Sequence, residues 1–307
     1  MRSITTLFTL LLLCTMPACA QENVNHNHNT PGATPESDPM VSQDWAKQRL
    51  AKSPRHQEWV KVKNGAREVN SFVVYPEVKN KATAVIVIHE IFGMSDWVQS
   101  LTDQLAEAGY IAIAPDLLSG MGPNGGGTSS LDRNGVGQAI QNLPPDQITA
   151  DLNAVADYVS KLPAANGKIV VTGYCWGGGQ SFRYATNNPK IKAAFVFYGP
   201  PPAAADGTPD KAALAKITAP VYGFYAGNDA RIDATLPKTI EAMKELNKAF
   251  EPVTYEGAGH GFMRAGEAPE PTDKTAADYE KNLTAWQANK KARDEAWARW
   301  KKILASI

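Results

Sequence analysis

Short, almost uninterrupted apolar runs recur along this chain with helical stretches between them, and this alternation constrains the fold more than any other feature. The runs are residues 84–88, 110–114, 168–172, 193–198, 221–225 and 252–255. Between them, residues 95–108, 148–162, 179–187 and 237–249 have helical spacing and helix-forming composition. Runs rich in Val, Ile and Phe suit strands buried on both faces of a parallel sheet, and helices supply the crossovers such a sheet needs. The predicted fold class is therefore α/β, with a mostly parallel, doubly wound sheet. Trp59-Val60-Lys61-Val62-Lys63 alternates ahead of it, and Asn64-Gly65 is a turn signal leading into residues 67–75, so an antiparallel hairpin opens the domain. Residues 272–304 carry Trp286, Trp297 and Trp300 among Ala and Lys and read as a long terminal helix. Residues 119–145 fit neither pattern. They are rich in Gly, Asn and Pro, including Gly125-Gly126-Gly127, and read as a long loop at the mouth of a site.

The first twenty residues read as an export signal. Arg2 supplies the positive charge, residues 7–13 an apolar stretch too short to span a bilayer, and Ala18 and Ala20 the small residues of a cleavage site. Cys19 follows Ala18 as the cysteine of a lipoprotein signal would, so cleavage and lipidation both stand. The expected location is periplasmic or secreted, or on a membrane if Cys19 carries lipid. Residues 21–54 form a polar, low-complexity tether and arm with too little apolar surface to order itself, and residues 55–307 form the domain. His26 and His28 lie in the tether without a third ligand, and no metal site is expected. With 31 basic and 31 acidic side chains, the chain has no general attraction for nucleic acid. No phosphate-loop motif occurs, and no cofactor is implied. The chain has three cysteines, and either processing route leaves Cys175 as the only free thiol.

The chemistry gathers around that residue. Gly173-Tyr174-Cys175-Trp176-Gly177-Gly178-Gly179 follows one apolar run and opens a helix, the setting of a nucleophile elbow with cysteine in place of serine. Glycines suit it because the turn is strained and side chains beside it would collide. A helix N-terminus also lowers a thiol's pKa, so an acidified Cys175 is expected. A base and an orienting acid should follow in the order acid, then histidine. Asp229 stands in the turn after residues 221–225, and His260 after residues 252–255 within Gly257-Ala258-Gly259-His260-Gly261. Asp233 is a rival acid. The oxyanion hole would come from the backbone N–H groups of Trp176 and of Ile91, which follows the run 84–88. Glu90 in that loop is either a rim charge or a group facing the thiol.

Together, His89-Glu90-Ile91-Phe92-Gly93, Ala114-Pro115-Asp116-Leu117, the Cys175 segment, Tyr225-Ala226-Gly227-Asn228-Asp229-Ala230-Arg231-Ile232 and His260-Gly261-Phe262 resemble the dienelactone hydrolases, also called carboxymethylenebutenolidases. The resemblance runs from about Glu58 to the C-terminus. It implies an α/β-hydrolase fold and a cofactor-free hydrolase of small esters or lactones, acting through Cys175, His260 and Asp229 and an acyl-enzyme. It further implies that Glu90 holds the resting thiol and that Arg264 binds a substrate carboxylate, with Arg133 as the candidate second arginine. A thioesterase or peptidase with the same triad, and a non-catalytic binding or redox-sensing module, are the alternatives.

Overall fold

The computed structural model describes residues 42–265 and 268–307; the predicted leader, most of the tether, Cys19, His26 and His28 lie outside them. The strands are β1 (Gln57–Asn64), β2 (Arg67–Val74), β3 (Ala82–Ile88), β4 (Ile111–Pro115), β5 (Ala165–Tyr174), β6 (Ala194–Phe197), β7 (Val221–Ala226) and β8 (Phe250–Tyr255). They form one sheet in the order β1-β2-β4-β3-β5-β6-β7-β8. The β1–β2 and β2–β4 pairs are antiparallel and the others parallel. The predicted hairpin thus stands at one edge of a doubly wound sheet. Every residue of β3 and β4 is buried, which is why those segments read as unbroken apolar runs. Each Val or Ile so buried contributes about 1.5–3 kcal/mol.

Helices cover both faces. Helices α2 (Asp96–Glu107) and α9 (Tyr279–Leu304) place Trp97, Val98, Leu101, Ala296 and Trp300 in the core on one side. On the other lie α4 (Pro145–Ser160), α5 (Trp176–Asn187) and α8 (Leu236–Glu245), which contribute Leu152, Val155, Phe182 and Met243. The short helices α6 (Lys211–Leu214) and α7 (Ala230–Asp233) complete the helices of the described residues with α1 (Asp44–Lys52) and α3 (Arg133–Asn142).

The last two differ from the sequence reading. Helix α1 (Asp44–Lys52) falls where the arm is expected to be irregular. Gln43 secures it: its side chain accepts from the Trp97 N–H at 3.0 Å, and its own N–H donates to Asp96 at 2.9 Å. The arm therefore satisfies one orphan donor at the start of α2. Helix α3 (Arg133–Asn142) occupies part of what reads as a glycine-rich loop. Asp132 caps it by accepting from the Gly135 N–H, and Val136, Ala139 and Ile140 are buried.

Candidate active site

Strand β5 delivers Cys175 into a sharp turn at its carboxyl end. The residue takes φ 55°, ψ −120°, a conformation that costs a side-chain-bearing residue about 1–3 kcal/mol. Its N–H donates to Phe197 C=O at 3.1 Å, which fixes the turn against β6. The neighbouring glycines are required by contact. A Cβ on Gly173 would lie 1.9 Å from Gly177 O, and one on Gly178 would lie 2.5 Å from Phe197 O.

The thiol is not acidified. Burial and then the negative charge of Glu90 push Cys175 up to about 11 from 9.0. Hydrogen bonding from the Trp176 and Ile91 backbone N–H groups, together with the Arg264 charge, acts the other way. The helix N-terminus expected to acidify it is therefore outweighed by desolvation and by the carboxylate. Because a raised pKa favours the protonated form, roughly one thiol in a thousand is ionised at pH 8. Iodoacetamide labelling of the free protein should be slow at neutral pH and quicken about tenfold per pH unit up to about pH 11. Labelling that is fast and flat between pH 6 and 8 would show the thiol to be acidic after all.

Both amides acting on the sulfur belong to residues singled out from the sequence, and His89, to which the sequence assigns no role, braces both. Its ring is completely buried and stacks on Trp176 with centroids 5.5 Å apart. Nδ1–H donates to Glu90 C=O at 2.8 Å, while Nε2 accepts from the Leu117 N–H at 3.3 Å. Each nitrogen thus has one fixed role, and burial, the largest cause, lowers the His89 pKa and keeps the ring neutral. The loop is tied a second time through Thr128. Its Oγ1 accepts from the Met94 N–H at 3.1 Å and donates to buried Asp116 at 2.8 Å. Asp116, within the Ala-Pro-Asp-Leu motif, is therefore an anchor for the glycine-rich segment.

His260 and Asp229 meet as the chain order predicts. Nδ1 of His260 lies 2.5 Å from Asp229 Oδ2, leaving Nε2 for another partner. The loops after β7 and β8 are stitched together by Asn228, whose N–H donates to Ala258 C=O at 2.8 Å and whose side chain donates to Gly257 C=O at 2.9 Å. Asp229, not Asp233, is the partner of His260. Asp233 Oδ1 is buried and unbonded among the described residues, and burial raises the Asp233 pKa.

Two arginines complete the group. Arg264 Nε donates to Glu90 Oε2 at 2.9 Å, and its Nη2 bonds the same oxygen. Glu90, only 2% exposed, is thus an ion-pair member as well as a charge facing the thiol. The Arg264 guanidinium lies 4.8 Å from the centre of the Phe92 ring and 5.6 Å from that of Trp97. Arg133, in the first turn of α3, lies 5.4 Å from the same Phe92 ring. Ile91 stands beside them with 42% of its surface open. Among the described residues, no group of three or more His, Cys, Asp or Glu side chains could hold a metal ion.

Comparison with known proteins agrees with this architecture. The pattern of the Dienelactone hydrolase family matches residues 69–307. A Yersinia pestis protein named "Putative carboxymethylenebutenolidase" is 32% identical over 216 residues, covering 66% of this chain and 76% of its own. A Saccharolobus solfataricus protein of the same name is 30% identical over 277 residues, 80% of this chain and 96% of its own. The crystal structure of a "Putative Dienelactone Hydrolase" from Klebsiella pneumoniae superposes with a TM-score of 0.66 at 25% identity, covering 82% of this chain and 99% of that one. Helices on both faces of a mostly parallel sheet, with Cys175 on the turn after β5, accompany these matches: the chain is a hydrolase with the α/β-hydrolase fold and belongs to the dienelactone hydrolase family.

Proposed function

We propose that the protein hydrolyses small carboxylic esters or lactones, with a preference for those that carry a carboxylate. The observation that carries this reading is a thiol on a strained turn with two backbone N–H groups directed at it. Cys175 sulfur attacks the carbonyl carbon as its proton passes to His260 Nε2, and the Ile91 and Trp176 amides hold the oxygen as it becomes anionic. His260, oriented by Asp229, protonates the departing alkoxide, and a thioester links acyl group and sulfur. In a lactone the released alcohol stays attached to the acyl chain. Water then adds to the thioester as His260 removes its proton, and the thiol leaves. Arg264 and Arg133, both against Phe92, place positive charge where a substrate carboxylate would bind. We further take the protein to be exported, on the strength of its first twenty residues; the mass of the mature chain and its membrane fractionation test that separately.

The test is hydrolysis of a matched pair of esters, p-nitrophenyl acetate and a p-nitrophenyl monoester of a dicarboxylic acid. Wild-type turnover of both is expected, with the higher kcat/KM on the acidic ester. Arg264→Ala should remove most of that preference, chiefly through KM. No turnover of either ester overturns the reading.

A further inference from the structure

Helix α9 is buried only along its second half. Its buried residues are Ala292, Ala296, Trp300 and Leu304, and none lies among residues 279–291, so the first half gains little from apolar packing. It instead makes polar contacts with the stretch that carries His260 and Arg264. Asn289 Oδ1 accepts from the Gly259 N–H at 2.7 Å, and Trp286 Nε1–H donates to Ala268 C=O at 3.2 Å. Arg293 continues the same face and donates to the Gln104 side chain of α2 at 2.7 Å. Residues 286, 289 and 293 are spaced i, i+3 and i+7, which puts them on one side of the helix.

Each of the first two contacts ends beside a site residue. Gly259 immediately precedes His260. The residues before it are tied to the sheet's own strands and loops: the Gly257 and Ala258 C=O groups accept from Asn228, and the Ala258 N–H donates to Tyr255 C=O at 3.3 Å. Gly259 is held from α9 instead. The His260 ring is set by Asp229 and rests edgewise on buried Tyr198, with centroids 5.1 Å apart; the backbone carrying that ring is what Asn289 holds. Ala268 in turn donates its N–H to Arg264 C=O at 3.2 Å, so Trp286 reaches Arg264 through one residue. Asn289 and Trp286 are both half-buried, and neither is needed to fill the core.

The proposed chemistry depends on where these two stretches sit. His260 must reach the sulfur's proton and then the departing oxygen, and a displacement of about 1 Å can cost about a hundredfold in rate. Arg264 must stay against Phe92, where a substrate carboxylate would bind. Resting on the reading of His260 as the base and Arg264 as the carboxylate anchor, we infer that Asn289 and Trp286 are positioning residues, the first setting the histidine and the second the arginine. The terminal helix thus governs turnover and substrate preference through separate contacts. Neither side chain touches a reacting atom.

The experiment compares Asn289→Ala and Trp286→Phe with the wild type on the ester pair. Asn289→Ala should lower kcat on both esters by the same factor, about tenfold, and leave KM and the acidic-to-neutral ratio of kcat/KM near their wild-type values. Iodoacetamide labelling of Cys175 should keep its wild-type rate in that variant, because the groups acting on the sulfur are Glu90, Arg264 and the Trp176 and Ile91 amides. Asn289→Asp retains the acceptor oxygen and should restore most of the lost rate. Trp286→Phe keeps an aromatic ring without its N–H. Its kcat/KM for the acidic ester should fall about fivefold more than for the neutral one, chiefly through KM, the size of one lost hydrogen bond. By NMR, the Gly259 amide should exchange faster in Asn289→Ala and the Ala268 amide faster in Trp286→Phe, whether or not either ester is turned over. The inference is overturned if both variants lose equally on both esters, if neither loses anything, or if the two amides exchange as in the wild type. If the wild type hydrolyses both esters without preferring the acidic one, the anchor falls and the Trp286 role with it, while the kcat of Asn289→Ala still decides the other. If it hydrolyses neither, the failure belongs to the proposed function, and the two exchange rates decide whether α9 holds these stretches.

Discussion

Replacing Cys175 by alanine is expected to lower kcat on either ester by at least about a thousand-fold, the scale on which nucleophile removal acts in hydrolases of this kind. Two amides directed at the sulfur have nothing to hold if no covalent bond forms there, so the residual rate should approach that of binding alone. Cys175→Gly separates chemistry from stability. Its turnover should be equally low, but glycine adopts φ 55° without strain, offsetting the greater freedom it gives the unfolded chain. The glycine variant is therefore expected to melt at or above the alanine variant, which keeps the strained turn. Steady-state kinetics and thermal melts on the three proteins check both statements. An alanine variant within tenfold of the wild-type rate would remove Cys175 from the mechanism, and a glycine variant that melts well below it would remove the strain argument.

The ionisation of that thiol marks the boundary of what sequence can tell. The Gly-x-Cys-x-Gly pattern after an apolar run correctly indicates the turn, because the glycines answer a local steric demand. The thiol's acidity is misjudged from sequence because it depends on burial and on Glu90, which is distant in the chain and brought to Cys175 only by the pairing of β3 with β5. A neutral resting thiol nevertheless suits the proposed chemistry, since it resists stray alkylation and oxidation in the absence of substrate. Burial is the larger cause of the neutral sulfur, Glu90 adds to it and Arg264 opposes, so the Glu90–Arg264 pair and the thiol form one electrostatic unit.

Elsewhere, legibility follows the strength of the local pattern. Asp229 and His260 are found because each stands in a turn just past an apolar run, and their contact then follows from the adjacency of β7 and β8. Helix α3 is missed because Gly135 and Gly137 lower its helix propensity, although the spacing of Val136, Ala139 and Ile140 is a signal that could have found it. That omission is what leaves the placement of Arg133 open in the sequence. The sequence gives neither His89, though it stands in a quoted motif, nor Tyr198 a role. One is a histidine whose two nitrogens find partners only in the folded loop, and the other reads as the last residue of a buried run.

A single methyl group added at Gly177, as Gly177→Ala, should destabilise the fold severely. A Cβ at this position would lie 2.3 Å from His89 O, 2.4 Å from Ile88 O and 2.9 Å from Ile88 C. All three are backbone atoms at the end of β3, where Val87 and Ile88 pair with Thr172 and Gly173 of β5. No rotamer change can relieve such a contact, so the first turn of α5 must move away from the sheet. Overpacking of a core costs about 1–3 kcal/mol when side chains can adjust, and rather more is expected when only backbone can yield. The same displacement would carry His89, Glu90 and Ile91 away from Cys175, so activity should fall with stability. Gly137→Ala provides the matched control: in the interior of α3 its Cβ would meet nothing within 4 Å. There the added methyl only restricts the unfolded chain and favours the helix, so a gain of about 0.5–1 kcal/mol is expected. Urea denaturation of the two variants should therefore give opposite signs for one chemical change. A Gly177→Ala protein as stable as the wild type would mean that α5 and β3 do not approach as closely as the site requires.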